Sequence, residues 1–573
     1  MLFRSASTRV LVNGMPGKRI SHARGLRQGD PLSPQLFVLA MEVITLVFRR
    51  ASELEMLSPI GNATAVQRVS IYADDVVLFV KPMVQDLVTV REILAVFGGA
   101  SGLHVNYGKT SATLIRAGDR EKELVTRILQ CRVEEFPIRY LGLQLALKPL
   151  TRNQWQPMID AAVKFVPAWQ RGLIARPGRL VLVRSVMSAR PVHHLIVADA
   201  PCWLLEELEK SMRGFFWAGK DRANGGQCLV AWDRVCVPQE YGGLGIKNLR
   251  MQGLALRVRW QWLLRTDNSR PWRGLGMLKD QEAREVFDSL VKIRVGDGRK
   301  VKFWTDRWIN GRSALDVASG IGRTVSGRSK NSRTVAQGLA ENRWLLDIPG
   351  TLAFCGAMEC LELWIAISEV ELVPEEPDRF SWPWSRSGEY TARSTYAMLM
   401  HGRERSTLAA PIWKNGAARK CKIFTRLAAQ HKIWTSDRRA QHDLQANSDP
   451  CFVFLQEEDN TEHILVQCVF AREVWVSCSL KLGARFQAPR RTSTLLSWWM
   501  AERERVRDKE RRWFDALVCT GCHAIWKNRN AWCFRNPRGQ HTAERLALNI
   551  VEDFKELQRV RRGRSGDNNI ARE

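Results

Sequence analysis

Residues 71 to 80, "IYADDVVLFV", set Asp74 and Asp75 side by side inside a run that is otherwise apolar and rich in valine. Such a run folds by burying apolar side chains, and two adjacent carboxylates cannot share that burial without a large desolvation and repulsion cost. The chain therefore has to turn at the acids. Val69 and Ile71 lead in, Val76 to Val80 lead out, and Ala73-Asp74-Asp75 makes the tip of a hairpin with its charges in water. A solvated tip accounts for these residues by itself. Paired carboxylates at a strand turn also hold divalent metal ions that act on phosphate, and the stretch alone leaves both readings open.

The flanking sequence reads as α+β. "TRVLVN", "GMPG" and "KRISHA" suggest two strands around a Gly/Pro turn. Ser33-Pro34 opens a helix whose apolar residues include Leu36, Phe37, Ala40, Ile44 and Val47. After the hairpin, Leu87, Val90, Leu94 and Phe97 form a helical stripe expected to stop at Gly98-Gly99, and "LHVN" and "ATLI" read as strands. All 22 tryptophans lie at or beyond Trp155, so the first ~150 residues form a unit of their own on a domain-size argument. From about 155 to 265 the pattern is helical, with Arg and Lys among Trp and Leu. "GRTVSGRSKNSRT", 322–334, reads as a basic linker, and "VPEEPD", 373–378, as a second break before a unit that starts at Phe380.

Charge points to a partner. Lys and Arg number 87 against 59 Asp and Glu, a net of +28 spread along 573 residues, which suits a polyanion and most economically nucleic acid. The thirteen cysteines are irregularly spaced and do not form a disulfide framework, which points to a reducing compartment. The start, "LFRSASTRV", lacks a secretion-signal core, and the longest apolar run, Leu36 to Phe48, is broken by Glu42 and falls short of the roughly 18 residues a bilayer requires. The expectation is an intracellular protein without a membrane partner.

Four segments in order carry a resemblance: "RGLRQGDPLSPQLF" at 24–37, the hairpin "YADD" at 72–75, "GLHVNYGKT" at 102–110 and "RYLGL" at 139–143. Together they resemble the palm of a reverse transcriptase of the non-LTR retrotransposon type common in plants. The resemblance implies an RNA template and a DNA primer as partners. It implies that Asp74 and Asp75 hold Mg²⁺ at the catalytic hairpin, with Tyr72 near the primer end. It places Gln28 and Gly29 against template and incoming nucleotide, Lys109 beside the departing pyrophosphate, and Tyr140, Leu141 and Gly142 in a primer-grip hairpin. A phosphate-loop reading of Gly108-Lys109-Thr110 fails, because the required glycine five residues upstream is Leu103. "ARPGRLVLVRSVMSARPV", 175–192, is similar to the thumb, where Arg176, Arg179, Arg184 and Arg190 could track a duplex backbone, each phosphate contact being salt-sensitive.

"CFVFLQEEDNTEHILVQC" and its neighbours resemble the zinc-binding domain that follows such polymerases. The family pattern is C-x2-C then H-x4-C. Here Cys451, His463 and Cys468 fit it, while Phe454 stands where the second cysteine belongs. Structural zinc almost always takes four protein ligands, so the expectation weighs against zinc, with Phe454 packed as core and Cys421 a distant substitute. "CTGCH", holding Cys519, Cys522 and His523, sits in a helical-looking segment, and buried thiols on one helix face are ordinary packing. The connecting tryptophans are likewise read as core.

The resulting layout is a partial palm over 1–150, a thumb-like helical region over 151–265, a Trp-rich connection over 266–375, a degenerate zinc-knuckle-like domain over 376–480 and a charged helical region over 500–573. The family's polymerase site uses a third carboxylate, a palm aspartate some tens of residues before QGDPLSP. Among the first 30 residues only Asp30 is acidic, and it belongs to QGDPLSP itself. The expectation is an N-terminally truncated RNA-directed DNA polymerase, inactive alone, whose missing aspartate would come from an upstream segment or a second chain, and nuclear because of the family's chromosomal targets. The alternatives are a non-catalytic RNA- or DNA-binding remnant and an unexpressed relic.

Overall fold

The computed structural model describes residues 7–22, 29, 31–60, 68–163, 166–267, 269, 280–348, 350, 353–453, 457–484 and 486–570. Gln28, Asp30 and Phe454, singled out above, lie outside them. The described residues divide into two compact units, one up to residue 154 and one beyond it.

The first unit begins with four two-residue strands, β1 (Ser7–Thr8), β2 (Leu11–Val12), β3 (Met15–Pro16) and β4 (Ile20–Ser21), in which β1 pairs with β4 and β2 with β3, both antiparallel. The turn falls at Asn13-Gly14, both at positive φ (51° and 82°), one residue-pair ahead of the expected Gly/Pro turn. Asn-Gly is the pair that tolerates that conformation, while Met15-Pro16 is strand. Helix α1 (Ser33–Glu53) starts at Ser33-Pro34 as expected and buries Met41, Ile44, Phe48 and Ala51. Val47 is 39% exposed, so the apolar face is turned from the anticipated one by about one residue.

Strands β5 (Val69–Tyr72) and β6 (Asp75–Leu78) form the acidic hairpin, and helix α2 (Val84–Ser101) packs with them and α1 on one core. Within it, Val69, Ile71, Val76, Leu78 and Val80 lie against Ile44, Phe48, Val90 and Phe97. α2 does not stop at Gly98-Gly99. It continues three residues and ends on Gly102, whose φ of 75° supplies the left-handed cap that only the third glycine is placed to give. Segment 103–106 is not a strand. The remaining elements are β7 (Ser111–Thr113) parallel to β8 (Arg132–Glu134), helix α3 (Asp119–Leu129) between them, and a hairpin of β9 (Ile138–Tyr140) and β10 (Leu143–Leu145). The architecture is α+β, as the sequence indicates.

The second unit is mainly helical. Its segments include Cys202–Ala218, Leu249–Thr266, Arg419–Ala428, Val469–Leu482 and Asp508–Cys533. The connecting tryptophans Trp217, Trp232, Trp304 and Trp308 are buried, as read from the sequence, whereas Trp169 is exposed. Two expected linkers are ordered structure instead. Residues 319–332 form the helices Ser319–Thr324 and Gly327–Ser332, because the Ser326 hydroxyl accepts from the Ser329 N–H at 3.0 Å and caps the second, and Ile321 buries in the connection's core.

The break at 373–378 is a lock. Asp378, 6% exposed, accepts from the backbone N–H groups of Gly296 and Gly298 at 2.9 Å, Lys300 at 2.8 Å and Val301 at 3.1 Å, and the strand Arg379–Ser381 then pairs antiparallel with Lys292–Arg294. The carboxylate thus organises "VGDGRKV" and ties it to the segment at Phe380, so no boundary separates them. Asp378→Ala orphans four buried donors and is expected to lower unfolding stability by about 3–5 kcal/mol, with Asp378→Asn about half as costly. Denaturant titration checks this; a loss under about 1 kcal/mol would show the cage is not a stabilising element.

Candidate functional site

The acidic hairpin follows from strand alternation. In the β5–β6 register Val69 faces Leu78 and Ile71 faces Val76 on the core side. Ser70 faces Val77 and Tyr72 faces Asp75 on the other. Ala73 takes the left-handed conformation, φ 54°, to reverse the chain, and Tyr72, Ala73, Asp74 and Asp75 are all exposed, Tyr72 at 65%. Asp75 therefore shares a face with Tyr72, and Asp74 stands at the turn beside it. The carboxylates avoid the desolvation cost by projecting from a strand pair whose other face is buried.

The second hairpin comes to this outer face. Leu141 (φ 48°) and Gly142 (φ 81°) form the two-residue turn between β9 and β10, with Tyr140 opposite Leu143. The Tyr140 hydroxyl lies 3.3 Å from the Ser70 hydroxyl, so the "YADD" and "RYLGL" segments, some seventy residues apart, are hydrogen-bonded neighbours. Underneath, a brace missed in the sequence steadies the start of β5. Asp86 on α2, 1% exposed, accepts from the Ser58 N–H (3.1 Å) and hydroxyl (2.9 Å), while Arg68 donates to the carbonyls of Leu57 (3.2 Å) and Ser58. Burial lowers the pKa of Arg68, and Asp86 opposes that shift. Only the separation of Arg68 and Asp86 from any obvious pattern hid this pair.

Lys109 sits in an exposed turn whose N–H donates to the Asn106 carbonyl at 3.0 Å, and among the described residues no contact links it to Asp74 or Asp75. Gly29 is an exposed turn residue at φ 88°. Among the described residues no third His, Cys, Asp or Glu ligand joins Asp74 and Asp75. Two carboxylates without a third ligand are short of a two-metal set.

The thumb-like arginines divide. Arg179 donates to the carbonyls of Ile174 (2.7 Å), Gly172 (3.2 Å) and Trp217 (3.5 Å), and Arg176 stacks 5.3 Å from the Trp217 ring, its pKa lowered by burial and then by Arg179. Both brace the end of the 202–218 helix. Arg190 likewise donates to the Ala161 carbonyl. Arg184 is exposed.

In the second unit Cys451, His463 and Cys468 come together with their ligand atoms within 4.8 Å of one another, all buried. The two sulfurs are 4.0 Å apart. Thiolates on a tetrahedral zinc with bonds of about 2.3 Å stand about 3.8 Å apart, so the spacing matches. His463 Nδ1 is 2.8 Å from Glu457, which Arg491 holds in turn through an Nε contact of 3.0 Å. That leaves Nε2, buried and without a hydrogen-bond partner, as the nitrogen for a metal. The expectation weighed against zinc here; the gathered trio is compatible with it. Cys421 is no substitute ligand. Its helix, Arg419–Ala428, packs on Asp508–Cys533 beside Cys519 and Cys522. Those last two thiols are core as read, Cys519 accepting from Asn415 at 3.2 Å, with burial pushing its pKa up to about 12. Burial first, then Lys420 and Lys527, pulls His523 down to about 4, a neutral ring packed at 5.6 Å from Phe424.

Comparisons with known proteins agree with this geometry. Residues 2–145 match the family model of reverse transcriptase (RNA-dependent DNA polymerase), and residues 390–475 match that of zinc-binding in reverse transcriptase. The chain is 25% identical over 362 residues to a putative ribonuclease H protein of Arabidopsis thaliana, covering 57% of this chain and 56% of that one. It is 26% identical over 268 residues to a retrovirus-related Pol polyprotein from a type-2 retrotransposable element of Drosophila melanogaster, covering 45% of this chain and 24% of the relative. An uncharacterized 149 kDa transposon protein of Xenopus laevis is 25% identical over 277 residues, 47% of this chain and 20% of the relative. The chain thus spans between a fifth and rather more than half of the length of these relatives. No helix among the described residues is long and apolar enough to cross a membrane.

Proposed function

We propose that this chain, whose residues 2–145 belong to the reverse transcriptase family and whose residues 390–475 belong to that family's zinc-binding domain, engages an RNA template and DNA primer as the palm portion of a non-LTR retrotransposon polymerase. The observation that carries the reading is the hydrogen-bonded pair of hairpins, which presents Asp74 and Asp75 on an exposed edge with the Tyr140 hairpin at its side. In this reading Asp74 and Asp75 hold Mg²⁺ against the phosphates of the bound strand, Tyr72 packs near the primer end, and the 141–142 turn supports the primer. Mg²⁺ supplies charge neutralisation for nucleotide addition. The protein's own groups orient the strands. The two carboxylates make an incomplete set, and the remaining one comes from outside the described residues, from another segment or another chain.

Manganese stands in for magnesium in the test. With an RNA–DNA hybrid present, electron paramagnetic resonance should detect a bound Mn²⁺ whose affinity falls at least about tenfold in Asp74→Asn/Asp75→Asn. A hybrid-dependent Mn²⁺ signal that the double variant leaves intact would remove the hairpin from the metal site. We also propose that Cys451, His463 and Cys468 hold zinc, with Glu457 fixing the imidazole.

A further inference from the structure

A cavity of about 330 Å³ opens in the second unit where the 176–187 segment meets the helix Arg419–Ala428. Its size is at the low end of ligand sites, about 300–1,000 Å³, which suits a group no larger than a nucleotide. Leu180, Gln239 and Trp413 line it, and Arg184, Arg419 and Lys422 supply charge. Lys422 is fixed in place, donating to the carbonyls of Trp413 at 3.1 Å and Asn415 at 2.9 Å. Arg184 and Arg419 are exposed, and among the described residues neither makes an ion pair or a hydrogen bond.

Among the described residues that line the cavity there is no carboxylate. The positive charge extends beyond it: burial, then Arg419, lowers the pKa of Arg184, and burial, then Arg184 and Arg393, lowers that of Lys247. Converging cations with no acid among them repel one another, and a chain usually disperses or neutralises them. Arg176 and Arg179, from the same segment, are spent on carbonyls and an indole, whereas Arg184 and Arg419 keep their forks open. Guanidinium forks of this kind match the oxygens of a phosphate.

We propose that this cavity is a phosphate-binding site, built jointly by the segment after Arg176 and the first turn of the 419–428 helix, that grips a phosphodiester of a single nucleic-acid strand. The strand as the source rests on the function proposed above; free pyrophosphate carries the same chemistry. Arg184 and Arg419 clamp the anion, Lys422 adds a fixed ammonium, and one bound backbone joins the 176–187 segment to the 419–428 helix within the second unit.

The test uses the full chain and its Arg184→Gln/Arg419→Gln variant, with single-stranded RNA followed by fluorescence anisotropy across salt and inorganic pyrophosphate followed by calorimetry. Each phosphate contact on a single strand contributes about 0.7 to the slope of log affinity against log salt. The variant is expected to bind RNA several-fold more weakly with a slope lower by about 0.7 and to lose pyrophosphate binding, while its melting temperature is unchanged. If the wild-type chain binds pyrophosphate through these arginines but no RNA, the cavity stands and the nucleic-acid reading falls. If RNA binds with equal affinity and salt slope to both proteins, the cavity is overturned and the nucleic-acid reading survives. Failure of the wild-type chain to bind either probe also overturns it.

Discussion

Cys468→Ser is expected to strip the purified chain of zinc, from about one ion per molecule to near none, and to loosen the segment from Cys451 to Leu482. Two buried sulfurs 4.0 Å apart gather beside a buried imidazole nitrogen that has no hydrogen-bond partner, and leaving that nitrogen unpaired is costly unless an ion takes it. Because the thiols must lose protons to bind, zinc affinity should fall as pH drops, and a chelator should lower the melting temperature of the native chain while leaving the Cys468→Ser melt unmoved. Glu457→Gln serves as the finer probe. It leaves all three ligands and removes only the carboxylate on His463 Nδ1, and a loss of about 10–100-fold in zinc affinity is expected. Metal analysis showing no zinc in the native chain, with identical melts for both proteins, would return the site to ordinary core packing.

The parts of this fold that were legible in the sequence are those where neighbours along the chain are neighbours in space. The acidic hairpin could be placed because alternation and like-charge repulsion both act within ten residues, and the helix at Ser33-Pro34 because proline fixes its first turn. The α2 terminus lies past Gly98-Gly99 because three glycines compete there, and the one that can cap is decided by where the chain must turn left-handed. The Asp378 cage was read as a break because its four donors lie about eighty residues upstream, and nothing local to "VPEEPD" reveals them.

The same holds for the site. Arg176 and Arg179 look like surface cations in a basic segment, since a sequence does not show whether guanidinium donors go to phosphates or to carbonyls. Arg184 differs from them only in where the 419–428 helix lies. For zinc, counting ligands along the chain gives three and weighs against the metal, whereas the three-dimensional spacing of those ligands is compatible with it.

The largest effect follows from the carboxylate count. Nucleotide addition by two-metal chemistry needs ligands for both the attacking and the leaving oxygen, and among the described residues Asp74 and Asp75 have no third partner. Losing such charge stabilisation in a transition state typically costs orders of magnitude in rate. The direct measurement is primer extension by the 573-residue chain alone on an RNA template with a DNA primer, in Mg²⁺ and in Mn²⁺, beside Asp74→Asn. The hybrid is expected to bind, with neither protein yielding template-dependent product. Extension by the native chain that Asp74→Asn abolishes would contradict it, showing that the carboxylates already present suffice.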